Sequence, residues 1–210
     1  MIRILIVDDH GVVRRGLAEI INDASGMVVV GEAADGQAAL SVAGTTDPDV
    51  AILDIAMPGR GGLDVLRELK ARKPALKVIV LSIYAEEQYA IRSLRDGASA
   101  YLTKASRPEE LIQAVRAVAV GKRYLTPAVA DRLAAYIQDG SHSPPHEALS
   151  DREMEVLVNI GSGKQLREIA IEMRLSAKTV STYRSRLLQK MGMVTNAQLV
   201  RYAIEHRLAP

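Results

Sequence analysis

Five short runs of aliphatic and β-branched residues recur through the first 120 residues, each followed by a segment of helical periodicity, and this alternation constrains the chain more than any other feature. The runs are Ile2–Val7, Met27–Glu32, Val50–Leu53, Lys77–Ser82 and Ala100–Leu102. The segments between and after them cover roughly Val12–Asp23, Gly36–Gly44, Gly62–Arg72, Glu86–Asp96 and Pro108–Val120. Strands that are apolar on both faces and alternate with helices predict a parallel sheet covered on each side. The expected fold is therefore an α/β doubly wound, five-stranded parallel sheet. Such sheets bind ligands beyond the carboxyl ends of their strands, so polar residues placed there carry the most information.

Four of the five strand ends carry such residues. Asp8 and Asp9 follow the first strand, Asp54 follows the third, Ser82 closes the fourth and Lys104 lies just past the fifth. Each has an ordinary explanation when taken alone: an aspartate can cap a helix or start a turn, and a lysine can be a surface charge. Chemically matched groups at several strand ends point instead to one crevice. Three convergent carboxylates repel one another unless a cation neutralises them, and oxygen donors at that density suit Mg²⁺. A carboxylate beside that ion is placed to attack phosphorus, with an ammonium stabilising charge on the phosphoryl oxygens and a hydroxyl bonding to the product. His10 is left out of this set, because Mg²⁺ prefers oxygen and a helix start accounts for it. The glycine-rich Gly59-Arg60-Gly61-Gly62 lacks a following lysine-serine pair and reads as a turn.

The runs Ile4-Leu5-Ile6-Val7-Asp8-Asp9-His10, Leu53-Asp54-Ile55-Ala56-Met57-Pro58-Gly59, Leu81-Ser82 and Gly97-Ala98-Ser99-Ala100-Tyr101-Leu102-Thr103-Lys104 resemble the receiver domain of two-component response regulators over its whole length. The resemblance implies that Asp54 is the phosphoacceptor for a sensor histidine kinase. It further implies that Asp8, Asp9, Asp54 and the Ala56 backbone carbonyl hold Mg²⁺, that Lys104 pairs with the phosphoryl group, and that Ser82 and Tyr101 form a switch. In such receivers the hydroxyl swings toward the phosphoryl group and the aromatic ring turns inward, shifting an existing equilibrium. Ala56 and Tyr84 stand at positions that influence phosphoryl lifetime in the family.

Beyond Gly121-Lys122, a helix over Pro127–Ile137 is expected, with Thr126 as its cap and proline in its first turn. The following Asp139-Gly140-Ser141-His142-Ser143-Pro144-Pro145-His146 has the composition of a hinged connector, and His142 and His146 suggest no metal cluster. From Leu149 the periodicity is purely helical. Ser150 caps a helix starting at Asp151, Leu166–Met173 forms a second, and Ser176 caps a third over Ala177–Met191, leaving the three-residue turn Arg174-Leu175-Ser176 typical of a helix-turn-helix. A last helix follows Thr195. Gly161-Ser162-Gly163-Lys164 follows a helix and has Val158 where a phosphate loop needs its first glycine, so it is not one. The division expected is a receiver over residues 1–121, a linker with a helix over 122–148 and a helix-turn-helix domain over 149–210.

Charge separates these regions. Residues 149–210 hold ten Lys/Arg against six Asp/Glu, a net +4, whereas the rest holds 17 against 19, a net −2. On the third helix of the basic half, Val180, Leu187 and Met191 share one face, leaving Lys178, Ser181, Thr182, Ser185 and Gln189 opposite. Small hydroxyls let a helix approach base edges, and basic neighbours supply phosphate contacts. An ordinary solvated helix face would also look like this, as would a protein-binding three-helix domain.

Leu149-Ser150-Asp151-Arg152-Glu153, Glu168-Ile169-Ala170 and Ser176-Ala177-Lys178-Thr179-Val180-Ser181-Thr182-Tyr183 resemble the LuxR-type domain of the NarL/FixJ class, and the Ser-Thr-Tyr-Arg stretch its BvgA- and GacA-like branch. The resemblance implies binding of double-stranded DNA through Lys178, Thr179, Ser181, Thr182, Ser185, Arg186 and Lys190, a homodimer formed on phosphorylation, and RNA polymerase as a further partner. Lys164-Gln165-Leu166-Arg167 and Arg184 depart from the usual pattern of the class. A dehalogenase-like phosphohydrolase would share the aspartate nucleophile and Mg²⁺ but needs an acid two residues on, where Ala56 stands, so the chain is not expected to be an enzyme. The absence of cysteine excludes disulfides, thiolate zinc sites and cysteine nucleophiles. Met1-Ile2-Arg3 leads directly into a strand rather than an apolar signal core, and no apolar run approaches membrane-spanning length, so cytoplasmic residence without membrane contact is expected.

Overall fold

The computed structural model describes all residues except 58–60, 84–85, 139–143, 207 and 210. The chain divides into two compact units, Met1–Ala135 and Tyr136–Pro210. The first contains strands β1 (Ile2–Val7), β2 (Met27–Ala33), β3 (Val50–Asp54), β4 (Lys77–Ser82) and β5 (Ala100–Thr103), alternating with helices α1 (Gly11–Asp23), α2 (Gly36–Thr46), α3 (Gly62–Arg72), α4 (Glu86–Arg95) and α5 (Pro108–Ala119). The strands form one parallel sheet in the order β2-β1-β3-β4-β5. The doubly wound sheet expected from the strand–helix alternation is thus the fold observed.

One face of this sheet, through Ile4, Ile6, Ile52, Ile79, Leu81 and Leu102, packs on Leu17 and Ile21 of α1 and Leu111, Ala114, Val115 and Val118 of α5. Alternate strand residues point to the other face and are equally buried, among them Leu5, Ala51, Leu53, Val78 and Val80. Aliphatic residues on both faces explain why these strands read as continuous apolar runs. Several elements extend beyond the sequence expectation, β2 to Ala33, β5 to Thr103 and α6 to Gln138 among them, and two further extensions have identifiable reasons. β3 includes Asp54 because its backbone still pairs with Leu81. α2 runs past Gly44 to Thr46, where the hydroxyls of Thr45 and Thr46 bond back to the Val42 carbonyl.

Helix α6 (Pro127–Gln138) opens on Thr126, whose hydroxyl accepts the Val129 N–H at 3.3 Å. In the second unit, helices α7 (Asp151–Gly161), α8 (Leu166–Glu172), α9 (Ala177–Met191) and α10 (Asn196–Glu205) follow one another. Ser150, Ser176 and Thr195 each accept a backbone N–H in the first turn of their helices, as their positions in the sequence predict. Gly192 ends α9 in the left-handed conformation at φ 64°. A side chain at Gly161 would lie 2.6 Å from the Ala203 Cβ, so glycine lets α7 and α10 pack closely.

Part of the segment read as a connector is ordered in a way that composition conceals. Residues 139–143, including His142, lie outside the described residues, but Pro145–Ala148 form a 3-10 turn in which His146 is buried. His146 Nδ1 lies 2.8 Å from the Tyr202 hydroxyl, and its ring meets those of Tyr202 and His206 edge-on, both with centroids 5.7 Å away. A proline-flanked histidine looks like linker until a tyrosine 56 residues later supplies the polar partner it needs for burial. Among the described residues, no helix is long and apolar enough to cross a membrane.

Candidate functional site

The sheet register determines the first site. Val7 pairs with Leu53, Asp54 with Leu81 and Ser82 with Thr103, so Asp8, Asp54, Ser82 and Lys104 lie along one edge of four neighbouring strands. The loop following β3 is drawn against α3, because a Cβ at Gly62 would come within 2.2 Å of the Ile55 Cα. Residues 58–60, which include the Pro58-Gly59 of the motif and Arg60 of the glycine-rich turn, lie outside the described residues, as does Tyr84.

Asp8 and Asp54 are each 1% exposed. Lys104 Nζ bridges them, 2.6 Å from Asp8 Oδ2 and 2.7 Å from Asp54 Oδ2. The Ala56 N–H donates to Asp54 Oδ1 at 2.7 Å, and the His10 N–H donates to Asp8 Oδ1 at 2.8 Å. Asp8 and Asp54 thus serve locally as turn acceptors as well as lining the crevice, so the ordinary and the chemical explanations hold together. One oxygen from each of Asp8, Asp9 and Asp54 and one His10 ring nitrogen all fall within 4.8 Å of one another. Three carboxylates facing one ammonium leave excess negative charge in a nearly closed crevice, and their oxygen donors fit Mg²⁺.

Burial pushes the Asp54 carboxyl above its ordinary range, an effect opposed by the Lys104 charge and hydrogen bond and by the Ala56 N–H, and reinforced by Asp8. For Lys104, burial works against the charged form, but the charge and hydrogen bond of Asp54, joined by Asp8, outweigh it and raise the pKa. Lys104 therefore stays an ammonium at neutral pH.

Ser82 and Tyr101 are both fully buried. Val80 pairs with Tyr101 and Ser82 with Thr103, which sets Ser82 and Tyr101 two residues apart diagonally on the same face of the sheet. His10, set aside in the sequence, sits at the mouth of the crevice with Nδ1 2.8 Å from Asp9 Oδ1. Sequence reasoning also passed over Arg14, whose Nη1 donates to the Asp8 backbone carbonyl at 2.7 Å. Its place one turn into the helix that follows the acidic pair was the available signal.

The second site lies on α9. Val180, Leu187 and Met191 are buried as their spacing predicts, and Lys178, Ser181, Thr182, Ser185, Arg186 and Gln189 are exposed. The hydroxyls of Thr182 and Ser185 donate to the carbonyls of Lys178 and Ser181, each at 3.0 Å, and Thr179 Oγ1 lies 2.8 Å from Ser176 Oγ at the helix start. Lys178 and Arg186 form no ion pair among the described residues. Lys190 is placed differently: its ammonium lies 2.6 Å from Glu153 Oε2 and 3.4 Å from the Ala148 carbonyl. Glu153, 2% exposed, also accepts the Ser150 N–H. Burial opposes its ionisation, but the hydrogen bonds from Lys190 and Ser150 prevail and hold the carboxyl below its usual range. Arg184 donates to Asn196 Oδ1 at 2.5 Å, joining α9 to the start of α10.

Residues 4–116 match the family described as the response regulator receiver domain, and residues 147–203 match the bacterial regulatory proteins of the luxR family. The chain is 37% identical over 207 residues to the response regulator GacA of Pseudomonas aeruginosa, covering 98% of this chain and 97% of that protein. It is 35% identical over 209 residues to the response regulator UvrY of Escherichia coli, covering 99% and 96%. Among solved structures, RcsB from Salmonella enterica serovar Typhimurium, bound to promoter rprA in the presence of the phosphomimetic BeF3⁻, superposes with a TM-score of 0.62 at 27% identity, covering 96% of this chain and 98% of that one.

Proposed function

Because the chain belongs to the LuxR-type response regulators, in which a receiver domain precedes a helix-turn-helix domain, it is a DNA-binding transcription regulator of a two-component system, and we propose that phosphorylation of Asp54 by a sensor histidine kinase switches it. The observation that carries this reading is the Lys104 ammonium held between the buried carboxylates of Asp8 and Asp54 at the carboxyl edge of the sheet. Asp54 attacks the phosphorus of a phosphohistidine, the P–N bond breaks, and an acyl phosphate forms on the carboxylate. The imidazole leaves with the electron pair of the broken bond and takes a proton from solvent.

Asp8, Asp9, Asp54 and the Ala56 backbone carbonyl would hold Mg²⁺, which when bound supplies charge neutralisation for the entering phosphoryl oxygens. Lys104 already touches Asp54 within the crevice, and it moves its contact from the Asp54 carboxylate to the new phosphoryl group. The Ser82 hydroxyl then bonds that group, and Tyr101 responds on the same face of the sheet. Since both side chains are enclosed, any rearrangement of Ser82 is transmitted through packed neighbours to Tyr101 and the β5 surface.

The domains we assign are a receiver over 1–121, a linker with a helix over 122–148 and a helix-turn-helix domain over 149–210. Lys178, Thr179, Ser181, Thr182, Ser185, Arg186 and Lys190 form the DNA-contacting set on α9. Of these, Lys178, Ser181, Thr182, Ser185 and Arg186 have the exposure that direct contact requires, whereas Lys190 must share its charge with Glu153. Phosphorylation favours a homodimer that reads two half-sites, and the dimer works in the cytoplasm with RNA polymerase as a further partner. Ala56 occupies the place where a phosphohydrolase would carry its general acid, which supports a regulatory rather than an enzymatic role.

The test is DNA binding by wild-type protein and Asp54→Ala at fixed salt, with and without acetyl phosphate and Mg²⁺. Stimulation confined to the wild type is the expected result. Equal stimulation of both proteins would overturn the assignment of Asp54.

A further inference from the structure

We propose that Arg14 is a positioning residue for the acidic pair, pinning the peptide between Asp8 and Asp9 so that both carboxylates converge with Asp54; the inference rests on the pocket reading above. Besides the His10 ring, whose Nδ1 lies 3.3 Å from Oδ1, four contacts fix Asp8. Its N–H donates to the Ala33 carbonyl of β2 at 3.1 Å, its Oδ1 accepts the His10 N–H, its Oδ2 meets Lys104, and its carbonyl accepts Arg14 Nη1 at 2.7 Å. Only the last acts on the far side of Asp8, on the peptide that leads into Asp9. A peptide unit is planar, so holding its oxygen also sets the direction in which the Asp9 Cα lies.

Arg14 is held in turn by Glu32 of β2, with Nε 3.4 Å from Glu32 Oε2. The guanidinium therefore spans from the β2 edge to the loop after β1, a reach that a planar fork makes with two of its nitrogens and a lysine ammonium makes with one. Glu32 is 44% exposed along its side chain, so that arm contributes little by itself. The bond to the carbonyl of the buried Asp8 is the contact that matters.

Electrostatics and positioning predict opposite signs, which makes the inference testable. Removing a cation beside three carboxylates should by charge alone tighten the binding of a divalent ion. Releasing the Asp8–Asp9 peptide should weaken it. We take the dissociation constant for Mn²⁺, read from the paramagnetic resonance of the free ion and checked by competition with Mg²⁺, on the full-length unphosphorylated chain.

Arg14→Met is expected to bind Mn²⁺ about tenfold more weakly, the usual size of the effect when a residue that orients a ligand is lost. Arg14→Lys recovers part of that loss and Glu32→Gln stays close to wild type. Binding by Arg14→Met as tight as wild type, or tighter, would overturn the inference. If Arg14→Met does not fold, Arg14→Lys decides: it keeps the charge and loses the fork, so unchanged affinity in that variant would equally overturn it. Failure of the pocket reading has a separate signature, namely Mn²⁺ affinity that is unchanged in Asp9→Asn and in Asp54→Asn.

Discussion

The crevice at the sheet edge and the exposed face of α9 were both read from polar residues in the sequence, yet they are built on opposite terms. In the crevice Asp8, Asp54 and Ser82 are buried, Lys104 bridges the two carboxylates, and the sheet register sets the strand ends that carry them side by side. On α9 the register is that of one helix, the side chains point to solvent, and their hydroxyls are turned back onto their own backbone. Burial makes the crevice residues interdependent, so a change at one is felt by the others. Exposure leaves the α9 residues nearly independent, except that Lys190, itself exposed, is tied to the buried Glu153.

The sharpest way to break this comparison is Lys104→Met. It leaves the carboxylates of Asp8 and Asp54 buried without their shared ammonium, and such removal of one partner costs about 3–5 kcal/mol. Urea unfolding of the variant without divalent cations should show that loss, and excess Mg²⁺ should recover much of it. A variant as stable as wild type in chelator would mean that the crevice residues are not interdependent.

Next in size is Lys190→Met, expected to lower stability by about 1–3 kcal/mol through the loss of a charged hydrogen bond to Glu153. The pH dependence has a definite sign. Because the Glu153 carboxyl is held below its usual range in the folded chain, its stabilising contribution is complete above the unfolded value near 4.5 and fades as pH falls through the lowered one. Unfolding followed over that acid window should show this slope in wild type and lose it in Glu153→Gln.

Much of the fold was legible because its signals are local. Ser150, Ser176 and Thr195 sit directly before the helices they cap, and β-branched runs mark the strands without reference to anything distant. The crevice was legible because parallel register converts positions after strands into neighbours in space. The bond of Lys190 to Glu153 was not legible for the opposite reason: its sequence context is a basic helix, and the glutamate that engages it lies 37 residues earlier. Arg14 was missed because its partner is a backbone carbonyl, which every residue offers and no sequence distinguishes. His146 needed Tyr202 to turn a linker composition into a packed turn.

That last contact supports a smaller prediction. Tyr202→Phe removes the hydroxyl facing His146 and should cost about 1 kcal/mol in unfolding experiments, enough to separate a packed turn from a free linker. The smallest effect on stability is expected from Lys178→Ala, within about 0.5 kcal/mol as for an ordinary surface change. DNA affinity should nevertheless fall, and the slope of its logarithm against that of salt should become shallower by about one. If the slope is unchanged, Lys178 makes no phosphate contact; if stability falls with it, the independence of the α9 face is lost.

The link between Lys190 and Glu153 also decides how this protein could be re-engineered. On the proposed reading, the stretch from Lys178 to Arg186 carries most of the side chains that an operator would meet, while Leu187, Leu188 and Met191 fasten the same helix to its scaffold by burial and Lys190 by its bond to Glu153. A transplant of target preference from a relative should therefore exchange the first stretch and retain the second. A whole-helix swap that brings in a neutral residue at 190 would strand Glu153 in the interior, and the loss of operator binding that followed would be a failure of folding mistaken for a failure of recognition.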